Sequence, residues 1–262
     1  MVDVVVTTYN RKGMLRQTLE SLVRFAGVPF RLFVADDCST DGTQEYLRDF
    51  QADQAAYVVL GKRRQGVVYN LNLLWNLVEY EDRFNAPFPF LCYLQDDAVS
   101  AEQGWLRTAI SAYEDLKDRC NVGFFSGYDA PEHPAQKSFS WKGREVVLKF
   151  SQTATNLIGT KEFWRSVGEI PKKNPDGSER GFPGNGKGSH IDLYLTGCMS
   201  GSRFAPGAAG MNCSYTQGKT VLVVPGLIRH LAHGAVDSTW RNERKVGGGR
   251  PMVHSRIMAN RP

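Results

Sequence analysis

The chain is predicted to fold as one α/β domain built on a doubly wound, mostly parallel sheet with helices on both faces. Three observations predict it. Apolar, β-branched runs alternate with segments of helical periodicity through the first half. Two of those runs lead directly into acidic loops, which puts the acids at one edge of a parallel sheet, where open α/β folds bind ligands. The chain's 262 residues, 42% hydrophobic and 11% aromatic, suffice to bury a full core.

Val2 to Thr8 is a continuous run that suits a strand covered on both faces, and Leu15, Leu19, Leu22 and Val23 then recur at helical spacing. Arg31 to Ala35 reads as a second strand, with Asp41 and Gln44 as a capping box opening a helix through Phe50. Ala56 to Leu60 is a third strand, Val67 to Tyr80 a third helix, and Phe90 to Leu94 a fourth strand. Trp105 to Leu116 reads as a helix and Val122 to Ser126 as a strand. Phe139 to Phe150 reads as a hairpin turning at Lys142-Gly143-Arg144. Residues 171–189 are rich in Pro, Gly, Asn and Lys and read as a long surface loop. A helix beginning near His190 and a strand at Val221 to Val224 complete the body.

The longest apolar run is far below the roughly 20 residues that span a bilayer, and the start of the chain does not read as a secretory leader. A soluble, cytoplasmic protein is expected. Cys38, Cys92, Cys120, Cys198 and Cys213 are widely spaced, with no zinc-type pairs, and are expected to be reduced and mostly buried. The net charge of +5 equals the net charge of residues 238–262 alone. That Gly-rich tail reads either as a solvated end or as an arm for a polyanion such as nucleic acid.

Two loops carry the candidate chemistry. Gln95-Asp96-Asp97 follows the fourth strand, and adjacent carboxylates at a strand end hold divalent cations against phosphates. Asp36-Asp37-Cys38-Ser39-Thr40-Asp41-Gly42 follows the second. In such a run an aspartate also serves as an Asx-turn or helix cap, the favoured reading of Asp41 and an alternative for Asp37.

Val4 to Arg11, Val34 to Thr43, Arg64-Gln65-Gly66 and Gln95-Asp96-Asp97, in this order and spacing, resemble the family 2 glycosyltransferases of GT-A fold. The resemblance covers residues 2–125 and extends through Leu157 to Trp164 and Ile228 to Leu231. It implies a nucleotide-sugar-binding half over 1–125, an acceptor-binding and catalytic half over 126–237, and a separate basic tail over 238–262. By that resemblance Thr7, Tyr9 and Arg11 line the nucleotide pocket, Asp37 accepts hydrogen bonds from the base, and Arg64 and Gly66 approach the base or diphosphate. Arg64 also reads as one of three solvated cations, Lys62-Arg63-Arg64.

Asp97 takes the last position of the DxD-type motif, where the family places a carboxylate on Mn²⁺ or Mg²⁺. The first position is Gln95, a poorer metal partner suited to a ribose, and Asp96 is a second ribose candidate. His230 is the candidate to complete metal binding, with His233 in reserve and a packed structural histidine as the alternative. Asp192 resembles the catalytic base at the start of a helix; a dipole-stabilised helix acid is its alternative reading, and Asp176 and Glu179 are spare candidates. Trp141, Trp164 and Trp240 are stacking candidates, two of them expected in packing.

The implied activity is metal-dependent, non-processive and inverting transfer of a sugar from a nucleoside diphosphate to an acceptor hydroxyl, which for a basic-tailed chain includes a hydroxylated base in DNA. Two other classes stay open. A nucleotidyltransferase would share the sheet and metal but opens with a Gly-rich loop, and this chain has no glycine before Gly13. A noncatalytic nucleotide-sugar or nucleic-acid binding module would keep the pocket without the base.

Overall fold

Every residue of β1 (Val2–Thr8) is buried, because the strand lies between two helical layers. Val2, Val4 and Val6 point into one core with Leu15, Leu19 and Leu22 of α1 (Lys12–Phe25). Val5 points into the other with Leu71, Leu74 and Val78 of α3 (Val67–Glu81). The continuous apolar run thus reflects burial on both faces. The computed structural model describes residues 1–131, 133–173, 193–197 and 218–231.

The remaining elements are β2 (Phe30–Asp36), α2 (Thr43–Asp53), β3 (Ala56–Leu60), β4 (Phe90–Gln95), β5 (Ala98–Ser100) and α4 (Trp105–Cys120). They continue with β6 (Val122–Ser126), β7 (Ala135–Trp141), β8 (Arg144–Lys149), β9 (Asn156–Thr160) and α5 (Lys161–Val167). A π-helical turn over Leu193–Gly197, β10 (Thr220–Val223) and β11 (Ile228–His230) follow. Among the described residues the main sheet has nine strands in the order β3-β2-β1-β4-β9-β6-β10-β8-β7. β3, β2, β1 and β4 are parallel, as are β6 and β10. β9 runs antiparallel to both β4 and β6, and β7–β8–β10 form an antiparallel margin. α1, α2 and α4 bury their apolar faces in one core, α3 and α5 in the other.

The α/β architecture with helices on both faces is as predicted. Lys142 and Gly143 both take positive φ, 47° and 76°, as a two-residue hairpin turn requires, so the predicted hairpin forms where expected. The capping box does not form: Gln44 Nε2 donates instead to Asp36 Oδ2 (2.7 Å) and to the Gly61 carbonyl (3.0 Å). Only Cys92 of the described cysteines is buried, and Cys38 and Cys120 are half-buried free thiols, a correction to the expectation for those two. Trp164 is core, packed on Phe124 with its Nε1 donating to the Leu91 carbonyl at 3.1 Å. Trp141 lies at the hairpin end and donates to Asp115 at 3.1 Å. The predicted helix near His190 falls outside the described residues apart from the π-helical turn, whose Tyr194, Leu195 and Thr196 are buried. Residues 174–189 of the predicted loop, Cys198, Cys213 and the tail lie outside them as well.

At the N-terminal edge of the strands, Asp3 and Asp82 bind Arg31 and Lys161. Arg31 Nε lies 2.6 Å from Asp3 Oδ1, its Nη2 2.6 Å from Asp82 Oδ1, and Lys161 Nζ 2.5 Å from Asp3 Oδ2; Lys161 also contacts Asp82. Asp3 is a charge inside an otherwise apolar run, tolerable because it is fully paired. This cluster pins β1, β2, α3 and α5 at the edge opposite the acidic loops.

Candidate active site

The site is built at the C-terminal edge of β1, β2 and β4, and its first layer is two loops tied together. Asn10 after β1 and Cys38 after β2 both take left-handed conformations, φ 50° and 67°. Asn10 N donates to Ser39 Oγ at 2.8 Å and Thr40 N to Asn10 Oδ1 at 2.7 Å. Asp41 then serves both neighbouring helices. It accepts from Lys12 N (3.0 Å) at the start of α1 and from Thr43 N (3.1 Å) and Thr43 Oγ1 (2.5 Å) at the start of α2. Its turn reading holds.

Asp37 organises the next loop. It accepts from Gln65 N (2.7 Å), Gly66 N (2.9 Å) and Asn70 Nδ2 (2.9 Å), with Arg64 Nε 3.9 Å away. A carboxylate has about four acceptor positions, so most of Asp37 is spent positioning residues 64–66 and the start of α3. Here Gly66 has φ 86° and ψ 160°, a conformation that carries a steep steric cost for any residue with a Cβ. Arg64 is held with its guanidinium 4.2 Å from the centre of the Tyr9 ring, so it is not simply a solvated cation. Thr7 Oγ1 lies 3.4 Å from the Tyr93 hydroxyl beneath. Tyr9, Asp37, Arg64 and Gly66 are therefore linked side by side as one wall, whereas the Thr7 side chain is turned to Tyr93.

The acidic pair forms the adjacent wall. Gln95 ends β4 half-buried, its N–H donating to the Thr155 carbonyl at 2.9 Å. Asp96 is buried, and its oxygens accept from Thr8 Oγ1 (2.7 Å) and Arg11 Nη1 (3.0 Å). Burial pushes its pKa up to about 6; Arg11 opposes that shift and the Asp97 charge reinforces it. With both oxygens committed inside the protein, Asp96 is poorly placed for a ribose, a contact that Gln95 is better exposed to make. The same Arg11 nitrogen reaches Asp97 Oδ2 at 2.9 Å. Arg11 thus sits on the carboxylates, a placement that its reading as a pocket-lining residue did not specify.

Asp97 meets His230 through a two-stranded ribbon, in which β5 pairs antiparallel with β11 and His230 stands opposite Ala98. The Leu231 N–H donates to the Asp97 carbonyl at 2.7 Å, and His230 Nε2 lies 3.3 Å from Asp97 Oδ1. Tyr128 stacks against the imidazole at 5.7 Å. Among the described residues no group of three His, Cys, Asp or Glu side chains is arranged to hold a metal ion. Asp97 and His230 nevertheless present one carboxylate and one imidazole side by side, a donor set that Mn²⁺ accepts when other oxygens complete the shell.

On the far side, Asn156 Oδ1 accepts from Ser126 Oγ (3.1 Å) and Gly127 N (3.2 Å), and Gln152 Nε2 donates to the Tyr128 carbonyl. Gln152 N and Thr196 Oγ1 exchange hydrogen bonds reciprocally, with Thr196 returning to the Gln152 carbonyl, each 2.9 Å. The π-helical turn is thereby tied to the loop whose Thr155 meets Gln95. Asp192, Asp176, Glu179, His233 and Trp240 lie outside the described residues. Sequence reasoning did not single out Thr8, Asn70, Gln152 or Asn156; Thr8 sits inside the Val4 to Arg11 motif, and the other three are neutral polar residues with no motif of their own.

Comparison with known proteins bears on the same elements. The mannosyltransferase PcManGT from Pyrobaculum calidifontis, solved with GDP-Man and Mn²⁺, superposes with a TM-score of 0.52 over 94% of this chain and 61% of its own, at 17% identity, a likeness of fold. A teichuronic acid biosynthesis glycosyltransferase of Bacillus subtilis is 27% identical over 73 residues, 28% of this chain and 29% of that protein. The chain thus spans less than two thirds of either. The glycosyl transferase family 2 pattern matches residues 3–164, from β1 into α5 and through both acidic loops, and the chain belongs to that family.

Proposed function

We propose that the chain transfers a glycosyl group from a nucleoside diphosphate sugar to an acceptor hydroxyl, one residue per encounter and with inversion. The observation that carries this reading is the meeting of Asp97 with His230, 3.3 Å apart, beside the wall held by Asp37. In this reading Tyr9, Arg64 and Gly66 hold the base, Thr7 lines the pocket floor, and Gln95 offers its amide to the ribose. Asp97 and His230 would hold Mn²⁺ or Mg²⁺, which when bound offsets charge on the departing diphosphate. Asp192 takes the proton of the acceptor hydroxyl. The hydroxyl oxygen bonds to the anomeric carbon from the face opposite the diphosphate, which leaves with the bonding pair.

The test is a panel of nucleotide-sugars with Mn²⁺, read by melting temperature. One donor should stabilise wild type, and D97N should lose that stabilisation. No shift with any donor in the presence of metal would overturn the reading. D192N should keep the donor-induced shift while turnover falls about 10²-fold or more; unchanged turnover would remove Asp192 as the base.

Two acceptor classes have support. Similarity to a teichuronic acid biosynthesis enzyme favours a glycan hydroxyl, and the basic tail favours a hydroxylated base in DNA. Steep salt dependence of duplex binding, lost on deleting residues 239–262, would select DNA; salt-indifferent or absent binding would select the glycan.

A further inference from the structure

A cation already in contact with the acidic pair is part of the chain itself. One nitrogen of Arg11 spans both carboxylates, 3.0 Å from Asp96 Oδ1 and 2.9 Å from Asp97 Oδ2. We propose that Arg11 competes with the divalent cation for Asp97, and yields it when a nucleoside diphosphate gives the guanidinium another anion to bind. This rests on the metal reading above and adds a residue that sets the order in which metal and donor enter.

Burial supports the assignment. The Asp97 and Asp96 side chains are 3% and 7% exposed, whereas that of Arg11 is 24% exposed. Arg11 is therefore the most exposed of the three side chains, and rotation of its guanidinium away from the pair would free the carboxylates. Its backbone stays fixed, because the Arg11 carbonyl accepts from Met14 N (3.0 Å) and Leu15 N (2.9 Å) in the first turn of α1.

Charge sets the direction of the coupling. Two adjacent buried carboxylates require a cation, so Arg11 does not leave without replacement. A guanidinium within 2.9 Å of Asp97 Oδ2 repels a divalent ion approaching the same carboxylate. Metal alone must therefore displace Arg11 into water. Metal arriving with a diphosphate faces no such loss, because the phosphate oxygens match the guanidinium fork at least as well as the carboxylates do.

The experiment is calorimetric titration of Mn²⁺ into the full chain without nucleotide, then with saturating GDP or UDP, with far-UV circular dichroism and melting temperature as folding controls. R11Q should bind Mn²⁺ about ten-fold more tightly than wild type without nucleotide, a typical size for coupling between sites. Saturation with the diphosphate should then tighten Mn²⁺ binding less in R11Q than in wild type, by about that same factor. Equal affinities of R11Q and wild type without nucleotide would overturn the proposal while leaving the metal reading standing. No binding to any variant, with or without diphosphate, would sink the metal reading and this proposal together. Should R11Q fail to fold, R11K keeps the charge without the fork, and a gain of about three-fold is then expected; no gain would count against the proposal.

Discussion

Asn70 has no catalytic group, yet it holds the wall built on Asp37 in shape. Its Nδ2 donates to Asp37 Oδ1 at 2.9 Å and to the Gly66 carbonyl at 3.1 Å, so one amide fixes both sides of the loop entering α3. N70A would remove a donor from a buried carboxylate, a loss of about 1–3 kcal/mol. We expect that loss in urea denaturation, together with weaker nucleotide binding; unchanged binding would show that the loop holds its shape without the amide. What was legible at this scale were the acids, because Asp37, Asp96 and Asp97 directly follow apolar strand-like runs; that Asp37 and Asp96 are largely engaged inside the protein was not. Asn70 was hidden in an apolar helical repeat. The seating of Arg11 on the acids was hidden too, since a side chain's choice between ligand and neighbour is settled only by packing.

The elements that sequence periodicity predicted are those stabilised locally or by extensive burial. α1 is one: Leu15, Leu19 and Leu22 form a single fully buried stripe, and Thr18 Oγ1 on the same side donates to the Asp96 carbonyl at 3.0 Å. L19A should cost about 2–5 kcal/mol by the usual cavity penalty, and because α1 supports the acidic turn, the residual fold should also bind donor less well. Denaturation midpoints and donor titration measure the two effects. At the entry to α3 the vulnerable position is the capping residue: G66A forces a Cβ onto a backbone at φ 86°, with an expected destabilisation of about 1–3 kcal/mol and loss of the Asp37 contacts. Normal donor binding by G66A would contradict the wall described above. The strands that escaped the sequence reading, β5, β9 and β11, are three to five residues long and depend on partners far along the chain, and the seven-residue helix α5 escaped it too. β9 lies antiparallel between β4 and β6, which local alternation cannot reveal.

Across the whole molecule, one edge of the sheet is stapled by charge and the other carries the candidate site. In the staple, burial pushes the Asp82 pKa up, but hydrogen bonds from Lys161 and Arg31 outweigh it, and the net shift is downward. A lowered carboxylate contributes stability above the unfolded value, near 3.9, and loses it as pH falls through the folded value. Acid unfolding should accordingly steepen below about pH 4. D82N should be less stable than wild type at pH 7 and should lose less on acidification over that window, as followed by circular dichroism; parallel pH profiles would show that the staple is energetically silent. The β5–β11 ribbon has a consequence for how this protein comes into being. Because it joins Asp97 to an imidazole supplied much later in the chain, a ribosome-bound nascent chain that already displays the acidic turn still lacks half of the ion seat proposed above. Competence for metal should therefore arrive abruptly, once His230 has emerged, rather than grow with chain length.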